Sequence, residues 1–272
     1  MSVTNKRLTG LGLATTLLGA ASLAGCPPSA EAPTKPEVEQ TEATAAAEAG
    51  EAAAHGEGEG GEGEGGEGEA GHGAHNMETL PIEKRVAFMS GHVEAGLALY
   101  RAGAPDQAAK HLLHPVSETH QAERAGIDAL GFDSAVFETV SKALEDGRPA
   151  AEIEPQLAAA EANMQLLQKN AGGDAKAIIE YLMATVVEEY QVGVKDGAIT
   201  DPGEYQDAFG FSVVALKTAQ RIDSPAAKGV VTELETLVAL WPEGGPLAAS
   251  TPQPVAEVTA QTSKVLLALS GL

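Results

Sequence analysis

The sequence predicts an all-α protein that follows a long acidic tether. After about residue 77 the apolar residues recur at helical spacing and do not alternate as they would in strands. Gly and Pro clusters separate these periodic segments, and the preceding residues, 26–76, are dominated by Ala, Glu and Gly. Two arrangements fit this pattern: two helical modules, 77–147 and 148–272, or one continuous antiparallel helical bundle.

The individual helices follow from apolar stripes and their end signals. Val86, Met89, Val93, Leu97 and Tyr100 form the first stripe, which stops before a Gly-Ala-Pro turn. Similar punctuation follows at 147–149, 172–174 and 242–246. The spacing predicts helices over 79–102, 105–124, 133–146, 150–170, 174–196, 202–221, 225–241 and 253–269.

The first 25 residues are typical of a secretory signal peptide. Lys6 and Arg7 precede an apolar stretch rich in Leu, Ala and Gly. Residues 23–26, Leu-Ala-Gly-Cys, resemble the cleavage box of bacterial lipoprotein signals. The resemblance implies that Cys26 is acylated and that Pro27 directs the protein to the outer membrane, facing the periplasm. A transmembrane anchor is the alternative, but the stretch is short for a span of about 20 residues.

Residues 26–76 are expected to be a disordered tether. They contain no aromatic residue and almost no branched aliphatic residue, so they cannot bury enough apolar surface to offset the entropy of ordering. His55, His72 and His75 lie among glutamates in this segment, and such tracts collect divalent cations weakly. A purely solvating spacer is the alternative interpretation.

Charge and motifs exclude several classes of function. The formal net charge is -22, which disfavours nucleic acid as a partner because phosphate neutralisation cannot drive binding. Cys26 is the only cysteine, so disulfides and thiolate metal sites are excluded. Sequence motifs for a catalytic set, for nucleotide binding or for haem attachment are absent, and we therefore expect a protein that is not an enzyme.

The histidines suggest a metal site in the first module. All seven lie between residues 55 and 120. His111, His114 and Glu118 share one side of a predicted helix, and His92 lies at the margin of the stripe on the preceding helix. Imidazole and carboxylate suit iron or zinc, so His92, His111, His114 and Glu118 are the predicted ligands. A hydrogen-bonded core histidine at 92 with surface histidines at 111 and 114 is the alternative.

The first module resembles a group of uncharacterised exported bacterial proteins over residues 77–145. The shared pattern is G-H-x-x-x-G-x-x-L-Y followed by H-x-x-H-P. It is matched by Gly91, His92, Gly96, Leu99, Tyr100, His111, His114 and Pro115. The resemblance implies no particular activity, but it includes three of the predicted ligands.

Residues 178–222 resemble the helical periplasmic domain found ahead of the membrane part in bacterial high-affinity iron permeases. The pattern is carried by Glu189, Tyr190, Val194, Asp196, Gly197, Ile199, Glu204, Tyr205 and Asp207. The resemblance implies a metal transporter as a partner. Asp196 and Gly197 are expected to form a turn between two helices. A helical hairpin about that turn would bring together a second patch of metal-binding groups, comprising Glu188, Glu189, Tyr190, Glu204, Tyr205 and Asp207. Solvated carboxylates beside packed tyrosines are the alternative.

Together these features predict a membrane-anchored extracytoplasmic lipoprotein that binds iron or zinc for uptake, buffering or hand-over. Its expected partners are the membrane, through the lipid, and a metal transporter or another envelope protein. The competing prediction is a helical structural or interaction module without metal.

The anchor prediction can be tested with a Cys26→Ala variant. We expect this variant to leave the membrane fraction, because acyl chains contribute about 0.8 kcal/mol per buried methylene. Fractionation followed by immunodetection measures the release. Undiminished membrane association of the variant would contradict lipid anchoring.

Overall fold

The computed structural model describes residues 79–117 and 126–272, which belong to one compact unit. Its fold is all-α, as predicted. The helices that organise it are α1 (Ile82–Arg101), α2 (Pro105–Ser117), α3 (Ser134–Glu145), α4 (Ala150–Ala171), α5 (Ala175–Gly193), α6 (Pro202–Gln220), α7 (Ala227–Val238) and α8 (Val255–Leu269). Within the described ranges, no helix is long and apolar enough to cross a membrane.

The helix boundaries follow the start and stop signals in the sequence. Asp174 caps α5 by accepting a hydrogen bond from the Ala177 amide, and Asp201 caps α6 in the same way at Gly203. Helix α7 begins at Ala227, two residues later than predicted, because the side chain of Ser224 accepts from Ala226 in the turn before it. The sequence predicts that the second helix ends at residue 124, which lies outside the described residues.

A short β-hairpin joins α5 to α6, a feature that the sequence analysis described only as a turn. Strand β1 (Val194–Lys195) pairs antiparallel with strand β2 (Ala198–Ile199). Asp196 and Gly197 between them have φ values of 54° and 77°, and two positive values are what a type I′ turn requires. This tight connection folds α6 back against α5.

The helices pack as two four-helix bundles. In the first bundle, α1 to α4, each helix packs against the next and α4 returns to α1. In the second bundle, α5 to α8, the same cycle closes between α8 and α5. Leu112 and Phe137 are buried in the core of the first bundle, whereas Leu182, Phe211 and Leu234 are buried in the core of the second.

The packing changes at residues 172–174 and not near residue 148, where the sequence analysis divided the modules. Helix α4 buries Ile153, Leu157 and Leu167 in the same core as α1 and α3. The turn at Gly147 has a φ of 62° and connects two helices of one bundle. A Gly-Pro turn marks the end of a helix equally well inside a domain and between domains, so the turn at 147–149 does not by itself locate a domain boundary.

Helices α1 and α6 join the two bundles at a close crossing between two glycines. A Cβ atom added to Gly210 would lie 2.0 Å from the carbonyl oxygen of Gly91. A Cβ atom added to Gly91 would lie 2.1 Å from a ring carbon of Phe211. Both distances are far below van der Waals contact, so a larger residue at Gly210 would displace the helix backbones and one at Gly91 would displace the Phe211 ring.

We expect Gly210→Ala to destabilise the protein, because its Cβ meets backbone that cannot rotate away. Overpacking of this kind costs about 1–3 kcal/mol, and each kcal/mol lowers the melting temperature by about 2–4 °C in a domain of this size. Thermal denaturation followed by circular dichroism measures the loss.

Gly229→Ala in α7 is the matched control, because no heavy atom lies within 4 Å of the added Cβ. This substitution should raise stability by up to about 1 kcal/mol through helix propensity. Equal effects of the two substitutions would contradict the importance of the α1–α6 crossing.

Candidate metal centre

Three imidazoles and one carboxylate converge where the two bundles meet. His92 comes from α1, His111 and His114 come from α2, and Asp207 comes from α6. One potential ligand atom from each of the four residues lies within 4.8 Å of all the others. In the part of the chain that the structure describes, no other group of three or more His, Cys, Asp or Glu side chains comes together in this way.

Two local features of the sequence bring these side chains together. The turn at Gly103, with a φ of 79°, folds α2 back along α1 and places His111 and His114 beside His92. The spacing of three residues puts both α2 histidines on one side of that helix. The glycine crossing lets α6 approach α1, and Asp207 lies one helical turn before Gly210.

The distances within the cluster approach those of a metal coordination shell. Asp207 Oδ1 lies 2.8 Å from His92 Nδ1 and 3.0 Å from His111 Nδ1. His114 Nδ1 lies 3.0 Å from His92 Nδ1. Ligand atoms in a tetrahedral site with metal–nitrogen bonds of about 2.0–2.1 Å are about 3.3 Å apart. A small outward movement of the side chains would therefore accommodate an ion.

A chain of two glutamines sets the tautomer of His111. Its Nε2 donates a hydrogen bond to Gln206 Oε1 at 2.7 Å, and the Gln206 amide nitrogen in turn donates to Gln107 Oε1. Neutral His111 then carries its proton on Nε2 and presents the lone pair of Nδ1 to a carboxylate oxygen of Asp207. Two acceptors 3.0 Å apart repel each other unless a cation, either a proton or a metal ion, lies between them.

The hydrogen bonds of His92 are also incompletely satisfied. Its Nδ1 faces Asp207 Oδ1 and His114 Nδ1 at the same time, and one N–H group cannot point at both. Its other nitrogen, Nε2, is buried without a hydrogen-bond partner among the described residues. The ring lies edge-on to Phe88 and Phe211, at 4.8 and 5.5 Å between ring centroids. This apolar contact fixes the orientation of the ring.

The electrostatic coupling between Asp207 and the histidines is strong because all of these groups are shielded from water. Burial favours the neutral form of Asp207, but the positive charges of His92 and His111 outweigh burial and hold the pKa of Asp207 well below its usual value. Burial also opposes a charge on His111, but the negative charge of Asp207 and hydrogen bonds raise the pKa of His111 above its usual value. The centre therefore attracts a proton when metal is absent.

One side of the cluster opens onto a cavity of about 460 Å³. His111 and His114 line this cavity, whereas His92 and Asp207 lie on the buried side of the cluster. The remaining lining comes from the start of α2 and from the segment around the start of α6: Gln107, Lys110, Thr200, Asp201, Pro202, Gly203, Gln206 and Ala248.

Three of the four predicted ligands of the first module are close together in the structure, namely His92, His111 and His114. The fourth, Glu118, lies outside the described residues, and its role stays a prediction. Asp207 supplies the carboxylate, although the sequence analysis assigned it to a separate patch. Gln206, which orients His111, was missed, because an isolated glutamine carries no sequence signal for such a role.

The residues of the predicted second patch do not all face one another, and binding of a metal there stays a prediction. Asp207 faces the histidines of the first bundle. Tyr190 donates a hydrogen bond to the Gln253 carbonyl oxygen, and the centroid of its ring lies 5.8 Å from that of Tyr205. Burial raises the pKa of Tyr205 to about 12, so this phenol stays protonated at neutral pH. Glu189 and Glu204 are buried, and Glu188 is half-buried.

The predictions for the N-terminal region lie outside the described residues. They concern the signal peptide at 1–25, lipidation at Cys26, the tether at 26–76 and weak metal collection by His55, His72 and His75. These statements stay predictions.

Comparison with known families finds a match to the second bundle. Residues 168–271 match the family model described as the iron permease-associated 4-helix bundle domain. The second bundle is similar to this iron permease-associated domain. The match covers the end of α4 and all of α5 to α8, and it confirms over a longer span the resemblance first seen at 178–222. No curated protein and no solved structure matches the chain.

The proton affinity of the centre predicts a pH dependence for the stability of the metal-free protein. Asp207, with its lowered pKa, contributes stability above its unfolded pKa of about 3.9, and this contribution is lost as the pH falls through the folded value. His111, with its raised pKa, contributes stability below about pH 6.5, and this contribution is lost as the pH rises through the folded value.

We therefore expect wild type to exceed Asp207→Asn in stability most clearly between about pH 4 and 6.5. Urea denaturation of both proteins in the presence of a chelator measures this difference. A difference that stays constant up to pH 9 would show that no proton is shared between Asp207 and His111.

Proposed function

We propose that this protein is an extracytoplasmic metal-binding protein that holds one transition-metal ion, iron first and zinc second, at His92, His111, His114 and Asp207. It buffers the ion or hands it to a membrane transporter. Lipidation at Cys26 would keep it at the outer membrane during this exchange.

The observation that carries the proposal is the contact between His111 Nδ1 and Asp207 Oδ1. Gln206 holds the imidazole proton on the opposite nitrogen, so the lone pair faces a carboxylate at 3.0 Å. Protein interiors rarely keep two buried acceptors in contact, because each then lacks the partner that burial requires. A metal ion satisfies both atoms and the nitrogen atoms of His92 and His114 as well.

The choice of metal rests on the ligand atoms and on the family match. Three neutral imidazoles with one carboxylate suit Fe, Zn, Cu(II) or Ni, whereas Ca²⁺ and Mg²⁺ prefer an all-oxygen shell. The match of residues 168–271 to an iron permease-associated domain favours iron among these and supports a metal transporter as the partner.

The competing interpretation is a hydrogen-bonded polar network that stabilises the contact between the bundles. A proton between His111 and Asp207 would satisfy that pair without metal. His92 Nδ1 would still face two groups, Asp207 Oδ1 and His114 Nδ1, with one hydrogen. Metal binding measurements separate the two interpretations directly.

We expect one ion per chain in a protein whose tether histidines, His55, His72 and His75, are replaced by Ser to remove weak binding. The double variant His111→Ala, His114→Ala should lose affinity by at least about two orders of magnitude, because each ligand orients the others. Metal analysis gives the stoichiometry, and competition with a chromophoric chelator gives the affinity. Binding should weaken as the pH falls through the raised pKa of His111, because protons then compete with the metal for the imidazoles.

Asp207→Asn and Glu189→Gln form a matched pair for this experiment, since both replace a buried carboxylate on a helix of the second bundle. Only Asp207→Asn should lower the affinity. A loss in Glu189→Gln with none in Asp207→Asn would place the ion in the second patch, and absence of stoichiometric binding to the parent protein would leave the polar network as the explanation.

A further inference from the structure

The four protein ligands do not balance the charge of the ion that they would hold. Three neutral imidazoles and one carboxylate supply a single negative charge, so a divalent ion leaves a net charge of +1 and a ferric ion leaves +2. His92, His111 and Asp207 are almost completely buried, and an uncompensated charge is costly in such surroundings. The site therefore favours one more anionic ligand.

Among the described residues, the cavity beside His111 and His114 gives a further ligand access to the cluster. On the opposite side, the rings of Phe88 and Phe211 cover His92. The cavity volume of about 460 Å³ is about fifteen times the volume of roughly 30 Å³ that one water occupies in the liquid. This space accommodates a small organic anion and is much larger than a hydroxide ion needs.

The lining of the cavity offers hydrogen-bond donors to such an anion. Lys110 contributes an ammonium group, whereas the Thr200 hydroxyl already donates to the backbone carbonyl oxygens of Val192 and Gly193. Gln107 accepts from Gln206 through its oxygen, so the group that it offers to a ligand is its NH₂. The one carboxylate among the lining residues, Asp201, accepts from the backbone amides of Gly203 and Glu204 at the start of α6.

We propose that the metal centre has an open coordination position facing this cavity, and that a small carboxylate anion fills it by binding the metal and the donors of the cavity wall together. The inference rests on the proposed metal function and names the additional ligand of the same site. Metal would accordingly be held as a ternary complex with the anion and released when the anion departs.

The experiment uses the full chain with Co²⁺ as a spectroscopic probe and formate as the carboxylate. The visible absorption of bound Co²⁺ reports its coordination, so formate should produce a saturable spectral change. Perchlorate at the same ionic strength, as a weakly coordinating anion, should produce none. Ala248→Phe, which narrows the cavity from a residue that is not itself a proposed ligand, should raise the formate dissociation constant at least tenfold.

Lys110→Met should weaken formate binding several-fold by removing a positive charge from the cavity wall. Lys142→Met is its matched control, because Lys142 is an exposed residue of α3 whose ammonium pairs with Asp146 and does not line the cavity. In all three variants, Co²⁺ affinity without formate should stay within about threefold of wild type, which separates loss of the anion from loss of the metal.

The outcomes distinguish failure of this inference from failure of the proposed function. Stoichiometric Co²⁺ binding without any formate response would show that the coordination shell is closed and would overturn only the inference. An unchanged formate dissociation constant in Ala248→Phe would place the anion outside the cavity and would also overturn the inference. A spectral change that follows pH alone would identify hydroxide as the ligand and contradict the carboxylate. Absence of Co²⁺ binding would overturn both proposals.

Discussion

The close crossing of α1 and α6 is the constraint on which the arrangement of the described residues depends. Gly91 and Gly210 let the two helix backbones approach to a distance that any side chain would prevent. Because each glycine belongs to a different bundle, their contact joins the two cores. It also sets the distance between His92, the neighbour of Gly91, and Asp207, one turn before Gly210. The packing of the two bundles and the geometry of the candidate metal centre therefore both depend on the close approach of α1 and α6.

The centre itself is a set of polar groups that need a cation, either a proton or a metal ion, between them. Gln206 and Gln107 orient His111 so that the lone pair of Nδ1 faces the Asp207 carboxylate. The rings of Phe88 and Phe211 hold His92 where its Nδ1 faces both Asp207 and His114. Such an arrangement costs stability when no cation is present. Proteins retain costs of this kind at functional sites, where binding of a ligand offsets them.

Most of the fold could be predicted from the sequence because helix ends carry local signals. Asp174 and Asp201 act as caps, and apolar periodicity determines which face of each helix is buried. The three histidines could be predicted because they lie on two consecutive helices joined by a short turn. Asp207 could not be assigned to them, since its proximity depends on a contact between residues more than a hundred positions apart. The packing boundary after α4 is also a property of tertiary contacts, which spacing and turn residues do not encode.

The division of the four side chains between the bundles has an evolutionary consequence. The first bundle contributes three imidazoles, and the region that matches the iron permease-associated domain contributes only the carboxylate. A gene encoding that domain alone would inherit one of the four groups and no such centre. The four groups come together only where both bundles are present, so the centre would be gained or lost together with the pairing of the two bundles.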